Sequence, residues 1–164
     1  MEWNNFKKQD AGCDKYGKQR LELAVYLRDN ILYKYNNYFI ENGTLLGAYR
    51  NGKFIPHDDD FDFTFLLNSL EEINDFYNYI NENLDKKYKC RILNTYANKL
   101  EIYNPDYGSY ELLGPQYNNN DYHYVTIDIQ FYIKKGNYYH CLYDGKTDED
   151  KIEHDIIFPL KKIM

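Results

Sequence analysis

From Asp58 to Phe65 the chain reads Asp-Asp-Asp-Phe-Asp-Phe-Thr-Phe. Successive side chains of a strand point to opposite faces. Asp60, Asp62 and Thr64 therefore share one face, and Phe61, Phe63 and Phe65 share the other. The Phe face suits a core. The Asp face cannot be buried unpaired, because stripping water from an isolated carboxylate is very costly. If the extended geometry starts earlier, Asp58 joins the acid face, while His57 and Asp59 leave it. A solvated acidic turn would not need a buried second face. A calcium-binding helix–loop–helix counted from Asp58 would want Gly at its sixth position and Glu at its twelfth. The chain has Phe63 and Ser69 there. The pattern reads as a strand lying between a core and a charged site.

A second segment divides in the same way. In Tyr124 to Phe131, the residues Val125, Ile127, Ile129 and Phe131 form an apolar face, and Thr126, Asp128 and Gln130 form the opposite one. If the two strands are neighbours, Asp60, Asp62 and Asp128 meet. Clustered carboxylates repel one another and call for a cation, and hard oxygen ligands select Mg²⁺ or Mn²⁺. Such ions grip phosphate oxygens and favour displacement at phosphorus.

The remaining pattern predicts one α+β domain over residues 1–164, with a mixed sheet and flanking helices and with residues 1–13 as a poorly ordered leader. A helix is expected over Asp14 to Tyr35, from Leu21, Leu23, Ala24, Leu27, Ile31 and Leu32 at helical spacing. Tyr38 to Glu41 reads as extended. Asn42-Gly43 marks a turn, with Thr44 capping a short helix over Leu45 to Tyr49. Ser69 is expected to cap a helix over Leu70 to Leu84. Strands are expected at Phe61 to Leu67, Tyr88 to Leu93, Leu100 to Tyr103 and Tyr124 to Ile133. Asn137 to Leu142 should pair with the last of these through a turn at Lys135-Gly136. Gly114 to Tyr122 reads as a loop.

Composition narrows the function. The chain has 20 basic and 26 acidic residues and a net charge of −6. That argues against general nucleic-acid binding, which needs a basic surface. A single phosphate-bearing ligand remains compatible, because a metal ion supplies local positive charge. No run approaches 18 apolar residues, and Met1 to Gly12 is polar, so neither a membrane span nor a secretory signal is expected. Cys13, Cys90 and Cys141 are far apart and contain no paired motif. They read as free thiols of a cytoplasmic protein. His123, His140 and His154 are scattered and read as surface or hydrogen-bonded residues.

Gly43-Thr44 stands before a short helix, whose first N–H groups can hold a phosphate, and Thr44 adds a hydroxyl. Arg50 offers a planar fork that matches phosphate oxygens. Gly43-Thr44-Leu45-Leu46-Gly47, then Arg50, then Ile55-Pro56-His57-Asp58-Asp59-Asp60-Phe61-Asp62 closely resembles the motif of the LicD family. This is the phosphocholine-transferase family that includes fukutin and fukutin-related protein. Asp128 in its apolar strand and Ile156 to Lys162 also resemble the family, and the likeness runs roughly from residue 20 to 164. His57 stands where the family has Trp, a smaller and titratable wall beside the site. The chain ends two residues after Lys162, whereas family members usually continue with another block that bears on acceptor recognition.

The resemblance implies a nucleotidyltransferase-like fold. It implies transfer of a phospho-alcohol from a CDP-activated donor to a sugar hydroxyl of a glycan. Asp60 and Asp62 would hold Mg²⁺ or Mn²⁺, directly or through water with Asp58, and Asp128 would be the third acid and a candidate base. Gly43, Thr44 and Arg50 would take the donor's phosphates. Two alternatives share these residues. One is a nucleotidyltransferase that moves NMP from an NTP. The other is a nucleotide-binding module without turnover.

Overall fold

The computed structural model describes residues 13–56, 58, 60–93, 99–109, 123–141 and 155–156. Helix α1 spans Cys13–Asn30 and is followed by a 3₁₀ turn at Leu32–Lys34. Then come β1 (Tyr38–Ile40), α2 (Asn42–Asn51), β2 (Asp62–Leu67), α3 (Glu71–Asn83), β3 (Lys89–Leu93), β4 (Lys99–Ser109), β5 (His123–Lys135), β6 (Tyr138–Cys141) and β7 (Asp155–Ile156). This is the expected α+β arrangement, a mixed sheet with flanking helices.

The described strands form a seven-stranded sheet. Its main path runs β1-β2-β5-β4-β3, with β6 on β5 and β7 on β6. Only β2 and β5 run parallel among the described pairs. Phe63, Phe65, Leu67, Leu100, Ile102, Ile127, Ile129, Phe131 and Ile133 line one face of the sheet and are buried. Leu23, Ala24 and Leu27 of α1, Ile31 just after it, and Phe76 and Ile80 of α3 join them in a single core. Each Leu, Ile or Phe side chain among them stabilises the fold by about 1.5–3 kcal/mol when fully buried. Phe65 sits at the centre of an aromatic group, 4.5 Å from Phe76, 5.3 Å from Tyr38 and 5.5 Å from Tyr35 between ring centroids.

Several boundaries depart from the pattern, each for a local reason. The helix expected over Asp14 to Tyr35 stops at Asn30, whose side-chain amide donates to the Tyr26 carbonyl at 2.9 Å. That competing bond favours the tighter 3₁₀ turn that follows. Thr44 does not cap α2. The helix opens a turn earlier, with Glu41 as its extended N-cap and the Leu45 N–H donating to the Glu41 carbonyl at 3.0 Å. Ser69 does not cap α3 either, since its boundary residue is Leu70 and no side chain caps it. Strand β4 runs on past Tyr103 through Pro105, and its register on β5 shifts between Tyr103 and Gly108. Proline lacks a ladder donor, so a strand carries it at such an irregularity. Residues 1–12 of the leader expected over 1–13, His57, the loop at 114–122 and the stretch from Ile157 to Lys162 lie outside the described residues, while Cys13 opens α1.

Candidate active site

The face of the sheet opposite the core is polar. Parallel pairing sets Asp62 beside Asp128 and Thr64 beside Gln130. Antiparallel pairing sets Glu101 of β4 on the other side of Asp128, and Lys99 beside Gln130. Asp128 is therefore an acid on a central strand with an acid on each flank, an arrangement that repels itself unless cations are near. Asp60, just before β2, completes the group. One carboxylate oxygen from each of Asp60, Asp62 and Asp128 lies within 4.8 Å of the others.

Burial makes this cluster electrostatically demanding. Asp62 is 3% exposed and Asp128 is 1% exposed. Desolvation, with Asp60 and Asp58 adding repulsion, pushes the Asp62 carboxyl up to about 7, while bonds from Asn42 and Gln130 oppose the shift. Gln130 Nε2 donates to Asp62 Oδ1 at 3.0 Å. Asp128 is likewise raised well above its ordinary value, first by desolvation and then by Asp60, against the pull of Lys99. Lys99 Nζ donates to Asp128 Oδ2. The other oxygen, Oδ1, is buried and accepts no hydrogen bond among the described residues. A buried carboxylate oxygen without a donor, on an acid that clusters with two others, fits a divalent cation such as Mg²⁺ or Mn²⁺. The residues present are thus the kind that such an ion requires.

Helix α2 builds the rim. Thr44 is 5% exposed, and its Oγ1 accepts the backbone N–H of Asp62 at 2.9 Å. Its oxygen ties α2 to the first residue of β2. A Cβ added at Gly43 would sit 2.3 Å from Asp58 Oδ2 and 2.5 Å from Oδ1. Gly43 therefore lets the Asp58 carboxyl rest against the start of the helix. A Cβ at Gly47 would meet the Lys53 carbonyl at 2.4 Å, so Gly47 lets the returning chain cross the helix. Gly52, at φ 61°, reverses the chain there, with its N–H donating to Ala48 O at 3.1 Å. Asn42 opens α2 at φ 52°, the left-handed region that non-glycine residues seldom enter, and its side chain bonds Asp62. Arg50 is exposed in the last turn. It lies about 10 Å along the axis from Gly43 at the standard helical rise.

Further side chains support the site that the motif did not disclose. Thr64 Oγ1 donates to Glu41 Oε2 at 2.7 Å, and the Tyr132 hydroxyl donates to Glu41 Oε1 at 3.2 Å. Arg20 of α1 is fully buried, and its Nη1 donates to the Asp58 carbonyl at 3.4 Å. An apolar cavity of about 520 Å³ lies behind α2, lined by Leu21, Ile40, Ala48, Phe54 and Phe61. It reaches Thr44 but none of the acids. The Cys90 and Cys141 thiols are free, and burial raises them to about 12 and about 11.

Helices on a mixed sheet, with acids gathered where the parallel strands β2 and β5 pair, define an α+β domain. The chain belongs to the LicD family: the family model described as LicD/FKTN/FKRP, nucleotidyltransferase domain, matches residues 36–164. That membership makes it a member of a transferase family. The chain is 43% identical over 67 residues to an uncharacterized protein, RP689, of Rickettsia prowazekii, covering 37% of this chain and 25% of that protein. It is 42% identical over 67 residues to an uncharacterized protein, RT0683, of Rickettsia typhi, covering 37% and 22%. The matched part spans about a quarter of the length of these relatives. No helix among the described residues is long and apolar enough to cross a membrane.

Proposed function

We propose that this domain transfers a phospho-alcohol, phosphocholine-like group from a CDP-activated donor to a sugar hydroxyl of a glycan, with Mg²⁺ or Mn²⁺ as cofactor. The observation that carries this reading is the convergence of Asp60, Asp62 and Asp128 in a chain of a transferase family. Asp60 and Asp62 would hold the ion, with Asp58 at its edge and Asp128 as the third acid. When bound, the ion neutralises and polarises the donor's phosphate oxygens.

The chain's own residues supply position and charge. Gln130 and Asn42 fix the Asp62 carboxyl. The start of α2 around Gly43 and Thr44 faces the acids, and a helix N-terminus favours an anion. Arg50 is the proposed clamp for the more distant part of the donor. The acceptor hydroxyl attacks the phosphorus that carries the alcohol, CMP leaves with the bonding electron pair, and Asp128 takes the hydroxyl proton. Most of the rate then comes from orientation and charge neutralisation. The free thiols Cys90 and Cys141 suit a cytoplasmic location.

The family description, which names a nucleotidyltransferase domain, supports a second reading, in which NMP moves from an NTP. Product analysis separates the two. CDP-choline, Mn²⁺ and a panel of sugar acceptors should yield CMP, whereas CTP or UTP should yield no pyrophosphate. Asp60→Asn and Asp62→Asn should abolish CMP release in a folded protein. Pyrophosphate release would favour the second reading, and turnover retained in both variants would remove the acids from the chemistry.

A further inference from the structure

We propose that Arg20 is a positioning residue of the acid cluster. From α1 it holds the turn that carries Asp58 and Asp60, so that α1 belongs to the metal-binding site as well as to the core. This rests on the metal reading given above.

The place of Arg20 on its helix is the first sign. Leu23, Ala24 and Leu27 form the apolar stripe that α1 turns into the core. One helical turn back along that stripe stands Arg20, and it is fully buried too. An apolar side chain there would simply extend the core. A buried guanidinium loses its hydration, at a cost that its contacts have to offset. The family match begins at residue 36, so these contacts come from a helix that precedes it.

They lead to one place. Arg20 Nη1 donates to the Asp58 carbonyl at 3.4 Å, and the guanidinium carbon stands 5.5 Å from the centre of the Phe54 ring. Such a distance suits a cation over an aromatic face. Phe54 meets Phe61 edge-on, at 6.1 Å between centroids. These two rings bound the turn, with Asp58 and Asp60 between them. Arg20 therefore touches the turn at its flank and at its middle.

Other anchors close around the same residues. The Asp58 N–H donates to the Ile55 carbonyl at 3.0 Å, and the Phe61 carbonyl accepts the Asp128 N–H at 2.8 Å. From the side of α2, Gly43 leaves room for the Asp58 carboxyl, which an added Cβ would meet at 2.3 Å. Strand register fixes Asp62 against Asp128. Asp60 precedes β2 and takes no place in that register, yet its carboxylate comes within 4.8 Å of the other two. Where it stands depends on the turn, and Arg20 fixes the turn from beneath.

Stability and metal affinity should then separate when Arg20 is replaced in the full chain. An apolar side chain of similar size in place of a buried charge often leaves stability unchanged or raises it. Loss of a group that orients a metal ligand typically lowers metal affinity about 10–100-fold. Metal-free Arg20→Met should melt at or above the wild-type temperature. By titration calorimetry it should bind Mn²⁺ about 10–100-fold more weakly. Arg20→Lys keeps a charge and a donor but not the planar fork, and its affinity should fall between the two. Amide hydrogen exchange of metal-free Arg20→Met should quicken at Asp58 and stay unchanged at Leu27 and Ile129. Wild-type Mn²⁺ affinity in a folded Arg20→Met would overturn the proposal, and so would exchange that quickens throughout the core. If Arg20→Met does not fold, Arg20→Lys carries the test, and Mn²⁺ affinity equal to the wild type would overturn it. A wild type that binds no Mn²⁺ would instead overturn the metal reading beneath it, while exchange at Asp58 would still report the hold of Arg20 on the turn.

Discussion

Asp62 shows how far the site departs from what folding alone would choose. Its carboxyl, raised to about 7 by burial and by Asp60 and Asp58, binds a proton that the unfolded chain releases near its ordinary value of 3.8. Between those values the folded state holds more protons, so metal-free stability falls as pH rises, and it levels off above about 7. A divalent ion binds the ionised form and reverses this. The Mn²⁺-induced rise in Tm should therefore grow between about pH 5.5 and about pH 8. Asp62→Asn, which removes the repelled charge, should be more stable than the metal-free wild type at about pH 8, by on the order of a few kcal/mol, and should lose the Mn²⁺ response. Melting curves with and without Mn²⁺ check both. Gly43 and Gly47 should separate site from scaffold. Gly43→Ala pushes a Cβ into the Asp58 carboxyl and should weaken Mn²⁺ binding with little loss of stability. Gly47→Ala drives a Cβ into the Lys53 backbone and should cost about 1–3 kcal/mol, read by urea denaturation.

Between elements, the decisive joint is that of α2 with β2. Thr44 Oγ1 accepts the Asp62 N–H at 2.9 Å, so one hydroxyl sets the helix against the strand that carries the acid. Thr44→Val keeps the shape and strands a buried N–H, and it should cost about 1–3 kcal/mol and lower Mn²⁺ affinity as Asp62 shifts. A Thr44→Ser variant should restore both, which calorimetry would show. The alternation in Asp60 to Phe65 was legible because it is local: two residues suffice to set a face. The partners of those acids were not. Lys99, Gln130 and Glu41 reach the site through strand register and through the turn before α2, which only the paired sheet fixes. A signal for Lys99 did exist, since Lys99, Glu101 and Tyr103 alternate with Leu100 and Ile102, yet nothing in the pattern says which strand lies alongside. Thr44 was read as a cap because Thr before a helix usually bonds its own first turn, whereas here its hydroxyl oxygen serves the neighbouring strand.

Across the molecule, one sheet separates two tasks. One face is packed by α1 and α3, and the other carries the acids, so damage to the core and damage to the site should be separable. Phe65→Ala removes a fully buried ring at the centre of the aromatic group and should cost about 3–5 kcal/mol. The protein that remains folded should bind Mn²⁺ with unchanged affinity. The fold class was readable as a whole because helical and strand periodicities alternate clearly along the chain. The parallel β2–β5 pair, which brings Asp62 to Asp128, rested on a non-local contact that the sequence offered only as a condition. In the proposed function these acids bind a metal-loaded cytidine donor. That binding is tested most directly by the thermal shift of the full chain with CDP-choline, with and without Mn²⁺, in wild type and Asp60→Asn. A ligand at 100 times its dissociation constant adds about 2.7 kcal/mol of apparent stability. The expected result is a rise that requires Mn²⁺ and vanishes in the variant. A rise of equal size in the variant, or none with any cytidine compound, would contradict it.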